Sequence, residues 1–226
     1  GVGERGMARQ RIAFFDVDKT VLGINSGSAW LKREWQDGRL SLLEVLRAGS
    51  ALVRYGLGST HIEGTMEAAI KNQRGRPASE LRRRTMGFLD EHVMQHVRET
   101  AVQRLAWHRE RGELCVLLTT STQFLAGPLG ERLGCDAVLS TELEILDDGL
   151  LSGGTVGPIC YGEGKIHHAS TYARHVGAQL GDATFYSDSY SDRPMFEAVG
   201  RPVVVTPDRR LRRFARKRGW PVEEWS

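Results

Sequence analysis

Apolar residues gather in four short runs along the chain, each closing on polar or turn residues. Arg11-Ile12-Ala13-Phe14-Phe15 empties into Asp16-Val17-Asp18-Lys19-Thr20, and Leu114–Leu118 into Thr119-Thr120-Ser121. Ala183–Tyr186 leads to Ser187-Asp188, and Val203–Val205 to Thr206-Pro207. Runs of this length bounded by turn residues read as buried strands. Helical patterns separate them, and strands alternating with helices predict an α/β fold, a doubly wound parallel sheet covered on both faces.

The stretch from Asn25 to about Arg111 carries helical periodicity and almost no strand signal. It predicts an all-helical insertion over residues 25–110, with residues 7–24 and 111–226 forming the core domain. Helices are expected over Ser28–Trp35, Ser41–Tyr55, Thr60–Asn72 and Ser79–Arg109, the last broken near Met94. Thr60-His61-Ile62-Glu63 fits a capping box, and Asp147-Asp148-Gly149 between apolar flanks fits a hairpin. The glycines between Ser152 and Gly164 read as flexible turns.

Composition narrows the class. The 226 residues are 40% hydrophobic and 26% charged, a soluble globular balance with ample material for a core. The longest strongly apolar run is too short to cross a bilayer, and no apolar stretch of signal-peptide length precedes Met7, which reads as the natural start. A cytoplasmic location and no membrane partner are expected. Three cysteines without metal-ligand spacing suggest neither a disulfide framework nor a zinc site. Seven of the ten residues from Arg209 to Arg218 are basic, leaving 24 basic against 28 acidic residues elsewhere. No aromatic stacking pattern accompanies this run, so a solvated helix is expected and not a nucleic-acid contact.

In an open parallel sheet, ligands bind beyond the carboxyl ends of the strands. The polar clusters holding Asp16 and Asp18, Thr119 to Ser121, and Asp188 to Asp192 fall at such ends, and Lys165 falls at an expected helix start. These residues resemble the four motifs of the haloacid dehalogenase superfamily, in its phosphoserine-phosphatase-like branch, in the same order and across roughly residues 12–206. The resemblance implies a Rossmann-like core, a helical cap after the first motif, and hydrolysis of a phosphate ester.

The chemistry can also be argued residue by residue. Strand residues at i and i+2 share a side, so Asp16 and Asp18 can converge on one bound group. Two close carboxylates resist ionising together, which separates their roles. Asp16 is the candidate nucleophile that forms an aspartyl phosphate, and Asp18 the acid that protonates the leaving alcohol. Thr119 and Lys165 are candidate stabilisers of the charge spread over the transferring phosphoryl group. Mg²⁺ is the expected cofactor, held by Asp16, the carbonyl of Asp18, and Asp188. Thr20, Asn25, Thr120, Ser121 and Asp192 are candidate substrate-binding residues, Asp192 alternatively an anchor for Lys165.

Two departures from the family pattern stand out. Ser187 replaces the usual glycine before Asp188, with weaker metal binding one consequence to test. Asn25 stands where phosphoserine phosphatases carry an acidic residue for the substrate ammonium. A small phosphate ester of amino-alcohol type is expected, such as histidinol phosphate or phosphoserine, turned over by a monomer or homodimer. The rival readings are a phosphoacceptor domain and a silent relative binding anions or nucleic acid through the basic run.

Overall fold

The computed structural model describes residues 9–41, 46, 50 and 62–226. The helix expected over Ser41–Tyr55 and the capping box at Thr60 lie largely outside the described residues. Six strands form one parallel sheet in the order β3-β2-β1-β6-β7-β8. They are β1 (Ile12–Phe15), β2 (Leu114–Thr122), β3 (Ala137–Thr141), β6 (Thr184–Ser187), β7 (Arg201–Val205) and β8 (Val222–Glu223). The chain leaves central β1 to one side and later returns to the other, so the switch point lies where β1 meets its neighbours.

Side-chain alternation divides the core between the two faces of the sheet. Ala13, Phe15, Cys115, Leu117 and Tyr186 join one buried cluster, and Ile12, Phe14, Val116, Leu118 and Phe185 the other. Helices α4 (Glu99–Glu110) and α5 (Gln123–Leu133) cover the first face, through Leu105 and Leu129 among others. Helices α6 (Glu163–His175), α7 (Arg193–Ala198) and α8 (Arg209–Arg218) cover the second.

Helix α4, grouped by periodicity with the insertion, lies against the sheet: His108 on it reaches the Tyr186 hydroxyl of β6 at 2.8 Å. Among the described residues, the α-helices between β1 and α4 are α1 (Ser26–Gln36), α2 (Ile62–Lys71) and α3 (Ala78–Phe88). Their entry and exit strands are tied together, Gly23 N–H donating to the His96 carbonyl and Arg98 N–H to that of Val21, at 2.8 and 2.9 Å. A hairpin of β4 (Leu143–Ile145) and β5 (Leu151–Thr155) supports the loop before α3, where Ala78 N–H donates to the Gly149 carbonyl at 3.0 Å. Residues Ser152 to Thr155, expected as flexible turn, are therefore strand, because pairing with β4 supplies the order that glycines at 153 and 154 lack by themselves.

The basic run is the surface helix α8, capped by the Asp208 carboxylate on Leu211 N–H. Leu211 and Ala215 bury one side of it, while Arg212 pairs with Glu224 and Arg218 with Glu197. No helix among the described residues is long and apolar enough to cross a membrane.

Candidate active site

After Phe15 the backbone leaves the sheet in a wide turn over Val17–Val21, with Lys19 in the left-handed region at φ 57°. This turn swings Asp18 round to accept a hydrogen bond from Ser26 N–H, in the first turn of α1, at 2.8 Å. Asp16 stays at the strand end, its own N–H donating to the Tyr186 carbonyl of β6 at 2.9 Å. A buried Lys165 reaches over from the first turn of α6. Its Nζ donates to Asp16 Oδ1 and to Asp192 Oδ2, each at 2.8 Å. On the β6 side, the Thr20 hydroxyl donates to Asp188 Oδ1 at 3.2 Å and accepts from Asp188 N–H at 3.1 Å.

The tertiary fold therefore gathers Asp16, Asp18, Thr20, Lys165, Asp188 and Asp192 at the carboxyl ends of β1 and β6. Thr119, within the last half of β2, is buried, and its Oγ1 accepts from Ser121 N–H at 3.1 Å. Thr120 donates to the Cys160 carbonyl at 3.0 Å, tying β2 to the segment before α6.

Three further residues expected against the substrate likewise have partners within the protein. Thr20 is fully buried and uses its hydroxyl in both directions on Asp188. Asn25 caps α1, its Oδ1 accepting from Ser28 N–H at 2.8 Å; a short amide at this position satisfies one of the free amides of a helix start. Asp192, only 2% exposed, accepts from Lys165 Nζ through Oδ2. Sequence reasoning missed the Ser26 contact, because a backbone N–H leaves no signature in residue type. Ser187 registered only as a departure, although its hydroxyl donates to Asp192 Oδ2 at 2.6 Å.

The site is crowded with negative charge. Burial pushes the Asp16 carboxyl well above its ordinary range; Lys165 opposes the rise, and Asp192 and Asp188 add to it. Burial likewise raises Asp18, against the hydrogen bonds from Ser26. Asp188 is pushed up to about 7, by burial first and then by Asp192. Clustered buried carboxylates repel one another, and a positive charge beside them relieves that repulsion.

The chain matches the family model for haloacid dehalogenase-like hydrolases over residues 13–197. It is 32% identical to a Mycobacterium tuberculosis protein named phosphoserine phosphatase, across 94% of this chain and 70% of that protein. It is 26% identical to a histidinol-phosphatase of Neisseria meningitidis serogroup C, across 94% of this chain and 98% of the other. Among solved structures, a protein of unknown function from Bordetella pertussis Tohama I superposes with a TM-score of 0.85 at 29% identity, over 96% of this chain and 99% of that one. The chain belongs to the haloacid dehalogenase-like hydrolases. It is an enzyme of that class, with the parallel α/β core described above.

Proposed function

We propose that the chain is a Mg²⁺-dependent phosphomonoesterase that works through an aspartyl phosphate on a small phosphate ester of amino-alcohol type. The observation that carries this reading is the buried Lys165 ammonium shared between Asp16 and Asp192, with Asp18 held two residues beyond Asp16. A carboxylate at a strand end, paired with a fixed ammonium, can attack phosphorus while the same cation offsets charge on the phosphoryl oxygens. Asp18, raised by burial, is suited to hold a proton for the leaving alkoxide and to take one back from the water that opens the acyl phosphate. The segment from Gly23 to Val97 acts as the cap in this reading, shielding that intermediate from bulk water.

Asp16, Asp188 and the Asp18 carbonyl would hold the cation. Among the described residues no three His, Cys, Asp or Glu side chains form a ready metal cage. Mg²⁺ does not require one, because it keeps several waters and needs only one or two carboxylates beside a phosphate. When bound, it supplies positive charge to the phosphate oxygens. The amino-alcohol assignment rests on the names of the two relatives, while the neutral Asn25, which caps α1, offers no charge for an ammonium and weighs against phosphoserine within that class.

A chromogenic phosphate ester tests the reaction. Release is expected to stop on chelation and to return with Mg²⁺, and chelator-insensitive turnover would overturn the metal assignment. A panel of phosphoserine, histidinol phosphate, phosphocholine, sugar phosphates and nucleotides tests the substrate class, which fails if only sugar phosphates or nucleotides are hydrolysed. Asp18→Asn is expected to lose roughly 10² to 10⁴ in kcat on alkyl phosphates, the usual worth of general acid–base catalysis, and much less on nitrophenyl phosphate. Equal losses on both esters would remove Asp18 from the acid role.

Metal binding should also appear in stability. The Asp188 carboxyl is pushed up to about 7 from an ordinary 3.8 by burial, with Asp192 beside it, so between these values the folded state holds a proton that the unfolded state has released. Its contribution is complete at low pH and is lost as pH rises through 7. The Tm of metal-free protein is therefore expected to fall between pH 5 and 8, and Mg²⁺ to raise Tm more at pH 8 than at pH 5. Equal Mg²⁺ shifts at both pH values would count against the cation lying beside these carboxylates.

A further inference from the structure

Ser187 stands at the end of β6, fully buried, at the position where the family pattern carries glycine. Its backbone does not need glycine: it is absent from the positive-φ positions, which among the described non-glycine residues are Lys19 and Thr206. The question is what a hydroxyl does there. Its oxygen accepts from Ser189 N–H at 3.2 Å and donates to Asp192 Oδ2 at 2.6 Å. That carboxylate oxygen is the same one that receives Lys165 Nζ at 2.8 Å, and the ammonium passes on to Asp16 Oδ1 at 2.8 Å. Each link has one sense, because an ionised carboxylate only accepts and an ammonium only donates. The hydroxyl, having accepted from a backbone N–H, has its proton left for Asp192.

Building on the phosphatase reading, we infer that Ser187 is a positioning residue, whose hydroxyl fixes the Asp192 carboxylate and through it holds Lys165 against Asp16. Asp192 is 2% exposed, so its charge is stabilised by fixed donors and hardly by water. Lys165 alone would leave the carboxylate free to turn about its terminal bond and carry the ammonium with it. A second, charge-assisted donor on the same oxygen, rooted in β6, removes that freedom. A glycine offers no such donor. The chain thus has a link between the strand that carries Asp188 and the lysine that serves Asp16.

The test is a double-mutant cycle on kcat, in Mg²⁺-loaded enzyme with a chromogenic ester, after wild-type turnover has been measured. Ser187→Ala and Ser187→Gly both delete the hydroxyl, but only the glycine variant also frees the backbone. Each is expected to lower kcat about 10-fold, the lower end for a hydrogen bond to a charged group, with KM changed less than about 2-fold. Asp192→Asn should lower kcat as well, and adding Ser187→Ala to it should cost less than about 2-fold further, because the carboxylate through which Ser187 acts is gone. A purely structural hydroxyl predicts lower Tm with kcat of the folded fraction unchanged; that result, or losses that multiply in the double variant, overturns the inference. If Ser187→Ala fails to fold, Ser187→Gly decides alone. No Asp16-dependent turnover in wild type would remove the phosphatase reading and this inference together, whereas normal wild-type turnover with an unaffected kcat in both Ser187 variants removes only the inference.

Discussion

Asp16→Asn is expected to lower turnover by at least about 10³-fold while leaving the fold intact, in line with what removal of a nucleophile costs other covalent enzymes. The side chain keeps its volume, and its amide oxygen can still accept from Lys165, which now donates to Oδ1 at 2.8 Å. What disappears is the charged oxygen that attacks phosphorus. Because burial and two neighbouring carboxylates already push Asp16 upward, a neutral side chain relieves repulsion. The metal-free variant should therefore melt at or above the wild-type temperature. Kinetics on a chromogenic ester and a thermal melt check both halves, and full activity in a folded Asp16→Asn protein would end the nucleophile assignment.

Lys165→Met is expected to combine a large loss of activity with the largest loss of stability. Methionine fills similar space but leaves Asp16 and Asp192 without their shared cation. Breaking a buried ion pair by removing one partner costs about 3–5 kcal/mol, since the remaining charge is left uncompensated. Turnover should fall by about 10² to 10³, the scale of losing one fixed group that stabilises transition-state charge. Without the ammonium that opposes its rise, the Asp16 carboxyl moves further up, so the folded variant keeps protons the unfolded chain gives away. The stability gap to wild type is therefore expected to be small near pH 5 and to widen towards pH 8. Urea titrations at the two pH values measure it, and a gap independent of pH would show that Lys165 does not neutralise these carboxylates.

How much of this was legible in the sequence differs by element. The strands β1, β2, β6 and β7 could be read from local apolar runs, because a strand buried on both faces must be apolar throughout. The polar clusters at their ends could be placed too, since strand ends are where side chains leave the core. Strand β3 was not singled out, its half-buried residues giving a weaker signal. Strand β5 was hidden by Gly153 and Gly154, whose order comes from hairpin pairing. Helix α4 carried the same periodicity as α2 and α3, and periodicity says that a face is buried without saying against what.

Within the site, the residue types declared the chemistry and the tertiary structure chose the partners. Asp16, Asp18, Lys165 and Asp188 could be proposed because the four polar clusters occur together in the order the resemblance implies, although each alone could be a cap, a turn or a surface residue. Which carboxylate holds the lysine, and that Thr20 turns to Asp188, depended on contacts across up to 168 residues of chain. A side chain's chemistry is local, and the sequence alone determines it. Its hydrogen-bond partner is set by which strand ends meet, and only the folded sheet, where β1 lies between β2 and β6, brings them together.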